Sequence, residues 1–223
     1  MNKLTLGCTI VTLMASNIAL ASSEVQLSFT ATAEPPPCHI QSSPPAINFG
    51  NIHRNQLSSD TATQLPVTAF AGGITINCEG PTSIGLSAVD NSGGSAITVG
   101  NLTWTTPATT ISPSQTDQRF GLGMTSGGKP IGVWNVVFHS AKVDGTPVDI
   151  GIANNGILDT SDTAPTMRNN NKVISWVKNN AFAVGEIFAI QADAAVAIAP
   201  IKNLDTSSEI DFAGSATLEI TYL

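Results

Sequence analysis

Positive charge is scarce in this chain: lysine and arginine number 9 among 223 residues, against 16 aspartates and glutamates. Nucleic acids and anionic lipid surfaces are bound through clustered cations, so the shortage excludes both as expected partners. Charged residues of either sign make up only 11% of the sequence, and Ala, Thr, Ser, Asn and Gly abound in their place. Such a composition suits a surface largely covered by neighbouring molecules. The familiar signatures of catalysis are lacking too. There is no G-x-S-x-G elbow, no H-E-x-x-H helix and no close carboxylate pair, so neither an enzyme nor a cofactor is expected. His39, His53 and His139 are scattered, without the paired spacing of a metal site. Asp159 and Asp162 match no EF-hand loop and read as a solvated acidic loop.

No apolar run is long enough to span a bilayer, which takes roughly 20 residues. The stretch from Leu4 to Met14, preceded by Lys3 and followed by the small-residue site Ala19-Leu20-Ala21, reads instead as a secretory signal peptide. Leu6-Gly7-Cys8 faintly resembles a lipoprotein box, but the few residues between Lys3 and Cys8 leave no room for an apolar region ahead of it. The expected organisation is therefore a signal peptide over residues 1–21, an N-terminal extension over 22–37 and one domain over 38–223, with no membrane anchor. Export into an oxidising compartment follows from that reading.

Without Cys8, the chain keeps Cys38 and Cys78. In an oxidising compartment an even pair predicts a disulfide, and closing a loop of that length stabilises a fold by roughly 4 kcal/mol on the chain-entropy model. A zinc site is the competing use of two cysteines, and it lacks further ligands.

The periodicity is almost wholly that of strands. Ile47 to Ile52 alternates apolar and polar, as does Ile74 to Cys78 after a bulge or bend expected at Gly72-Gly73. Ile84 to Val89, Phe120 to Met124, Val133 to Val143 and Lys172 to Val177 are further candidates. Turn-forming clusters at Asp90 to Ser95 and Asn154 to Asn171 separate them. Phe188 to Ile198 is alanine-rich, which favours a helix by propensity, yet its even-numbered residues share one face at period two, as in a long strand. An antiparallel β-sandwich is the expected class.

Both ends of the expected mature chain carry patterned strands. Near the N-terminus, Val25, Leu27, Phe29, Ala31 and Ala33 form the apolar face of Glu24 to Ala33. Pro35-Pro36-Pro37 follows, removing three backbone donors and holding the chain extended. This strand is either detached, and must bury its face elsewhere, or folds back as an edge strand of its own domain. At the C-terminus, Ala216, Leu218, Ile220 and Tyr222 share one face, and Tyr222 is the only tyrosine.

Taken together, the signal peptide, the Cys38–Cys78 pair, the Ile47-Asn48-Phe49-Gly50 segment and the penultimate Tyr222 resemble chaperone–usher fimbrial subunits. The resemblance implies an all-β, antiparallel immunoglobulin-like sandwich that is incomplete, lacking its final strand, with a detached N-terminal donor strand. It implies as partners a periplasmic chaperone, an outer-membrane usher and neighbouring subunits of the same or a related kind. By that resemblance Val25, Leu27, Phe29, Ala31 and Ala33 fill a neighbour's groove, an instance of β-strand addition. Leu218, Ile220, Tyr222 and Leu223 lie on the strand the chaperone grips. The chain departs from the family pattern in its length, which implies inserted structure over 90–171, in having no glycine in the donor segment, and in the position of Gly214. A tip adhesin binding a host glycan and a self-contained secreted sandwich are the alternative readings.

Overall fold

The computed structural model describes residues 27–42, 46–98, 102–106, 109–112, 115–205 and 209–223. Pro35–Leu223 forms one compact unit and Met1–Glu34 another. In the second of these, the described residues 27–34 are all exposed and belong to no strand. Of the segment Glu24 to Ala33, residues 24–26 lie outside the described residues, and the remainder is chain without a strand partner within the described residues.

The compact unit is built from strands. In chain order they are β1 (Cys38–Ser42), β2 (Thr63–Gln64), β3 (Thr68–Ala69), β4 (Ile74–Thr82), β5 (Ile84–Asp90), β6 (Trp104–Thr105), β7 (Thr110–Ile111), β8 (Phe120–Gly121), β9 (Gly132–Val143), β10 (Thr146–Pro147), β11 (Asp149–Asn154), β12 (Ile157–Asp159), β13 (Lys172–Lys178), β14 (Ala181–Phe182), β15 (Gly185–Ile198) and β16 (Ala216–Tyr222). One sheet has the order β1-β4-β15-β9-β10, with β2 and β3 also paired to β15 and β8 to β9. The other has the order β12-β11-β13-β5-β16, with β14 paired to β13. All pairings between named strands are antiparallel.

Period-two burial makes the two sheets into a sandwich. Ile76, Phe138 and Phe188 from the first sheet meet Leu86, Ile152, Ile174 and Trp176 from the second in one apolar core. Trp176 stacks edge-on against Phe188, with ring centroids 5.3 Å apart, and its Nε1 donates to the Ala189 carbonyl. The fold is thus the all-β antiparallel sandwich that the alternation implies, and it is immunoglobulin-like, as the resemblance implies. Phe188 to Ile198 lies within strand β15 rather than a helix.

The first sheet carries a third layer. Val133 and Val137 of β9, with Ala195 and Ala197 of β15, face away from the sandwich core yet are buried, under Leu102, Trp104 and Ile111 of the β6–β7 hairpin and its flank. A strand buried on both faces reads as a continuous apolar run, and alanine is the residue that lets the hairpin approach closely. This packing accounts for the alanine richness that mimicked a helix.

Three two-residue turns close local hairpins: Asp144-Gly145, Asn155-Gly156 and Asn179-Asn180, all with positive φ. Left-handed backbone at both turn positions matches the twist of the flanking strands, and Asn, Asp and Gly tolerate it best. The stretch over Asn154 to Asn171 is consequently a hairpin followed by a charged segment, not one long loop.

Two further expectations are corrected. Ile47 to Ile52 belongs to no strand, although Ile47, Phe49 and Ile52 are half-buried and the residues between them exposed. Its alternation is that of a strand, but no strand partner stands among the described residues. Phe120 to Met124 shortens to β8, with Met124 making only an isolated bridge to Pro130.

Candidate interaction groove

The cysteine pair sits at one edge of the first sheet. Cys38 of β1 stands directly opposite Cys78 of β4, and the two are bonded with their Cα atoms 3.9 Å apart. The Glu79 amide donates to the Pro37 carbonyl, so this is a non-hydrogen-bonded pair in the ladder and the Cys38 amide points away from β4. Its partner is the Tyr222 hydroxyl, 3.1 Å away, which in turn donates to the Pro36 carbonyl at 3.1 Å. Pro36 and Pro37 are therefore fastened to the sandwich, within the compact unit Pro35–Leu223.

β16 forms the edge of the second sheet, paired on one side to β5 from Ala216↔Asp90 to Tyr222↔Ile84. Leu218 and Ile220 turn inward and pack against the core, while Tyr222 is 41% exposed and held by its hydroxyl. The Leu223 amide donates to the Ser83 carbonyl. The inward face continues upstream of β16: Ile210 and Phe212 are half-buried against the core, and the odd-numbered residues from Glu209 to Ser215 are exposed. Among the described residues no backbone-to-backbone hydrogen bond is made between Glu209 and Gly214, nor between Ala46 and Ile52, where the Gly50 amide donates instead to the Asn48 side chain.

These two unpaired segments flank a groove of about 1150 Å³. One rail is Ala46 to Arg54 and the other Glu209 to Ala216 with Leu218. The floor is apolar and belongs largely to the first sheet: Ile74, Trp134, Val136, Phe138, Ala192, Ala194, Val196 and Ile198. All of these floor residues are themselves buried. Sequence periodicity singled out Ile47, Phe49, Leu218 and Ile220. It missed Ile210 and Phe212, whose signal was the continuation of the even-numbered apolar row through Gly214.

The N-terminal residues singled out with them are exposed where described: Leu27 is 91% and Phe29 93% exposed, and Ala31 and Ala33 are exposed as well. Large apolar side chains left that open invite burial against another surface.

Asp159 and Asp162 do not form a solvated loop. Asp162 pairs with the fully buried Arg168 and with Lys172, Asp117 also faces Arg168, and Asp159 lies 3.7 Å from Lys172. The carboxylate of Asp162 keeps the Lys172 ammonium above its usual range despite partial burial. Among the described residues no group of three or more potential ligands gathers as a metal site.

A family model described as "Protein of unknown function (DUF1120)" matches residues 27–135, from the exposed N-terminal segment into β9. No curated protein matches the chain.

Proposed function

We propose that this chain is a structural subunit of a bacterial surface fimbria, exported with a signal peptide, stabilised by a periplasmic chaperone and assembled through an outer-membrane usher by donor-strand exchange. The observation that carries this reading is the groove: Ala46 to Ile52 and Glu209 to Gly214, two extended segments without strand partners among the described residues, line it together with a buried apolar floor. Such a gap fits one added strand, whose backbone would pair with the rails while its alternate side chains cover the floor. The occupant that best suits it is the segment Val25 to Ala33 of a neighbouring subunit, about as long as the rail Ala46 to Arg54. Its alternation supplies a valine, a leucine and a phenylalanine, each contributing roughly 1.5–3 kcal/mol on full burial. Leu218, Ile220, Tyr222 and Leu223 then belong to the strand that first the chaperone and later the neighbour would engage.

The test is a charge placed in the donor segment. F29D would carry a carboxylate into a dry groove, at a cost of several kcal/mol. The variant should fold and be held by the chaperone as the wild type is, should fail to donate to another subunit, and should still accept a wild-type strand. Size-exclusion chromatography of the mature chain with and without co-expressed chaperone reads all three. Assembly of F29D into fibres at the wild-type level would refute the role of the segment.

A further inference from the structure

The groove has two rails, and one side chain joins their continuations. β1 leads into the rail Ala46 to Arg54, and β16 continues the rail Glu209 to Leu218. At the far end of both, the Tyr222 hydroxyl on β16 accepts from the Cys38 amide of β1 and donates to the Pro36 carbonyl. The groove lining stops at Leu218 and includes neither Ile220 nor any residue of β1. Between clasp and groove, Ile40 faces the core side in register with Ile76 and yet remains 43% exposed. The slot is thus uncovered next to the clasp but bridged at it.

We propose that Tyr222 is a latch: its hydroxyl bridges the two sheet edges at one end of the groove and must be displaced before a strand can occupy the slot along its whole length. This inference rests on the reading of the groove as a strand acceptor. The Cys38 amide is a donor on the free edge of β1, aimed where an inserted strand would run. A strand pairing there offers a backbone carbonyl to that amide, and the amide cannot serve both partners fully. Insertion therefore begins at the open end, between Ala46 to Arg54 and Glu209 to Leu218, and finishes by exchanging the tyrosine hydroxyl for main chain. Because the Pro36 carbonyl is the second partner, the same exchange releases that carbonyl, while Pro37 stays held by the Glu79 amide.

The test measures association of a synthetic peptide of residues 24–33 with the full chain. Y222F keeps the ring and removes both hydrogen bonds, and should speed association about tenfold, the scale of two modest hydrogen bonds. Ser87→Ala removes the bonds of the Ser87 hydroxyl to the Glu219 carbonyl and the Thr221 hydroxyl, on the same strand pair but without touching the Tyr222 hydroxyl, and should leave the rate unchanged. In the wild type, the Tyr222 ring resonances should shift on peptide binding, which reads the latch without any substitution. Equal rates for Y222F and wild type, or unmoved Tyr222 resonances in the bound state, would overturn the latch while leaving the groove an acceptor. Absence of peptide binding to every variant would overturn the acceptor reading and the latch together.

Discussion

Gly214 lies against the indole of Trp134, so close that a Cβ at position 214 would come 2.6 Å from Nε1. The ring has little freedom to yield. It is buried, its Nε1 donates to the Gly121 carbonyl at 3.0 Å, and Phe120 stacks edge-on against it at 5.7 Å. A side chain at 214 must push the rail outward instead. Overpacking of this kind typically costs about 1–3 kcal/mol. Gly214→Val is expected to weaken binding of the 24–33 peptide while β16 stays paired to β5, which amide exchange along Ala216 to Tyr222 would verify.

The charged cluster beneath β13 should behave as a structural staple. Arg168 has no exposed side-chain surface and faces Asp117 and Asp162. Removing one partner of a buried ion pair leaves an uncompensated charge, at a cost of about 3–5 kcal/mol. Arg168→Ala should lower the unfolding midpoint in urea accordingly, without touching either rail of the groove. Acid should loosen the same region. The Ser161 hydroxyl and amide hold the half-buried Asp159 carboxyl below its ordinary value of 3.8. A depressed carboxylate contributes stability above its unfolded value, and that contribution fades as pH falls through the lower folded one. The acid limb of a melting-temperature profile should therefore be shallower in Ser161→Ala.

The disulfide fastens the edge strand that presents Cys38 to Tyr222. Mass spectrometry of non-reduced peptides should find Cys38 and Cys78 linked. Replacing both by serine should cost roughly 4 kcal/mol on the loop-entropy account and raise amide exchange in β1 before it rises in β9.

Strands buried on one face were legible from their alternation, and Ile74 to Cys78, Ile84 to Val89 and Ala216 to Tyr222 all stand where period two puts them. Ile47 to Ile52 shows the limit of that logic. Alternation reports which side chains turn inward, whereas a strand also needs a neighbour for its backbone, and no described segment supplies one. The Asp144-Gly145 and Asn155-Gly156 turns carried a clear local signal that periodicity overlooked. The Arg168 cluster had no comparable signal, since Asp117, Asp162 and Arg168 meet only through the tertiary fold. The floor of the groove was half visible: Ala192 and Ala194 lay in a recognised strand, but nothing local marked them as the place where the sandwich is thin.

The pairing of β16 with β5 has a consequence for the order of folding. β11 with β12, and β13 with β14, close through two-residue turns and can assemble from neighbouring residues, whereas one edge of β5 must wait for a partner from the other end of the unit. Non-local pairing forms slowly because loop closure precedes any reward from contact. Until β16 arrives, the bare edge of β5 is open to any extended chain nearby, and an unprotected edge is a route to aggregation. A chain built this way is most vulnerable in the interval before its last strand docks.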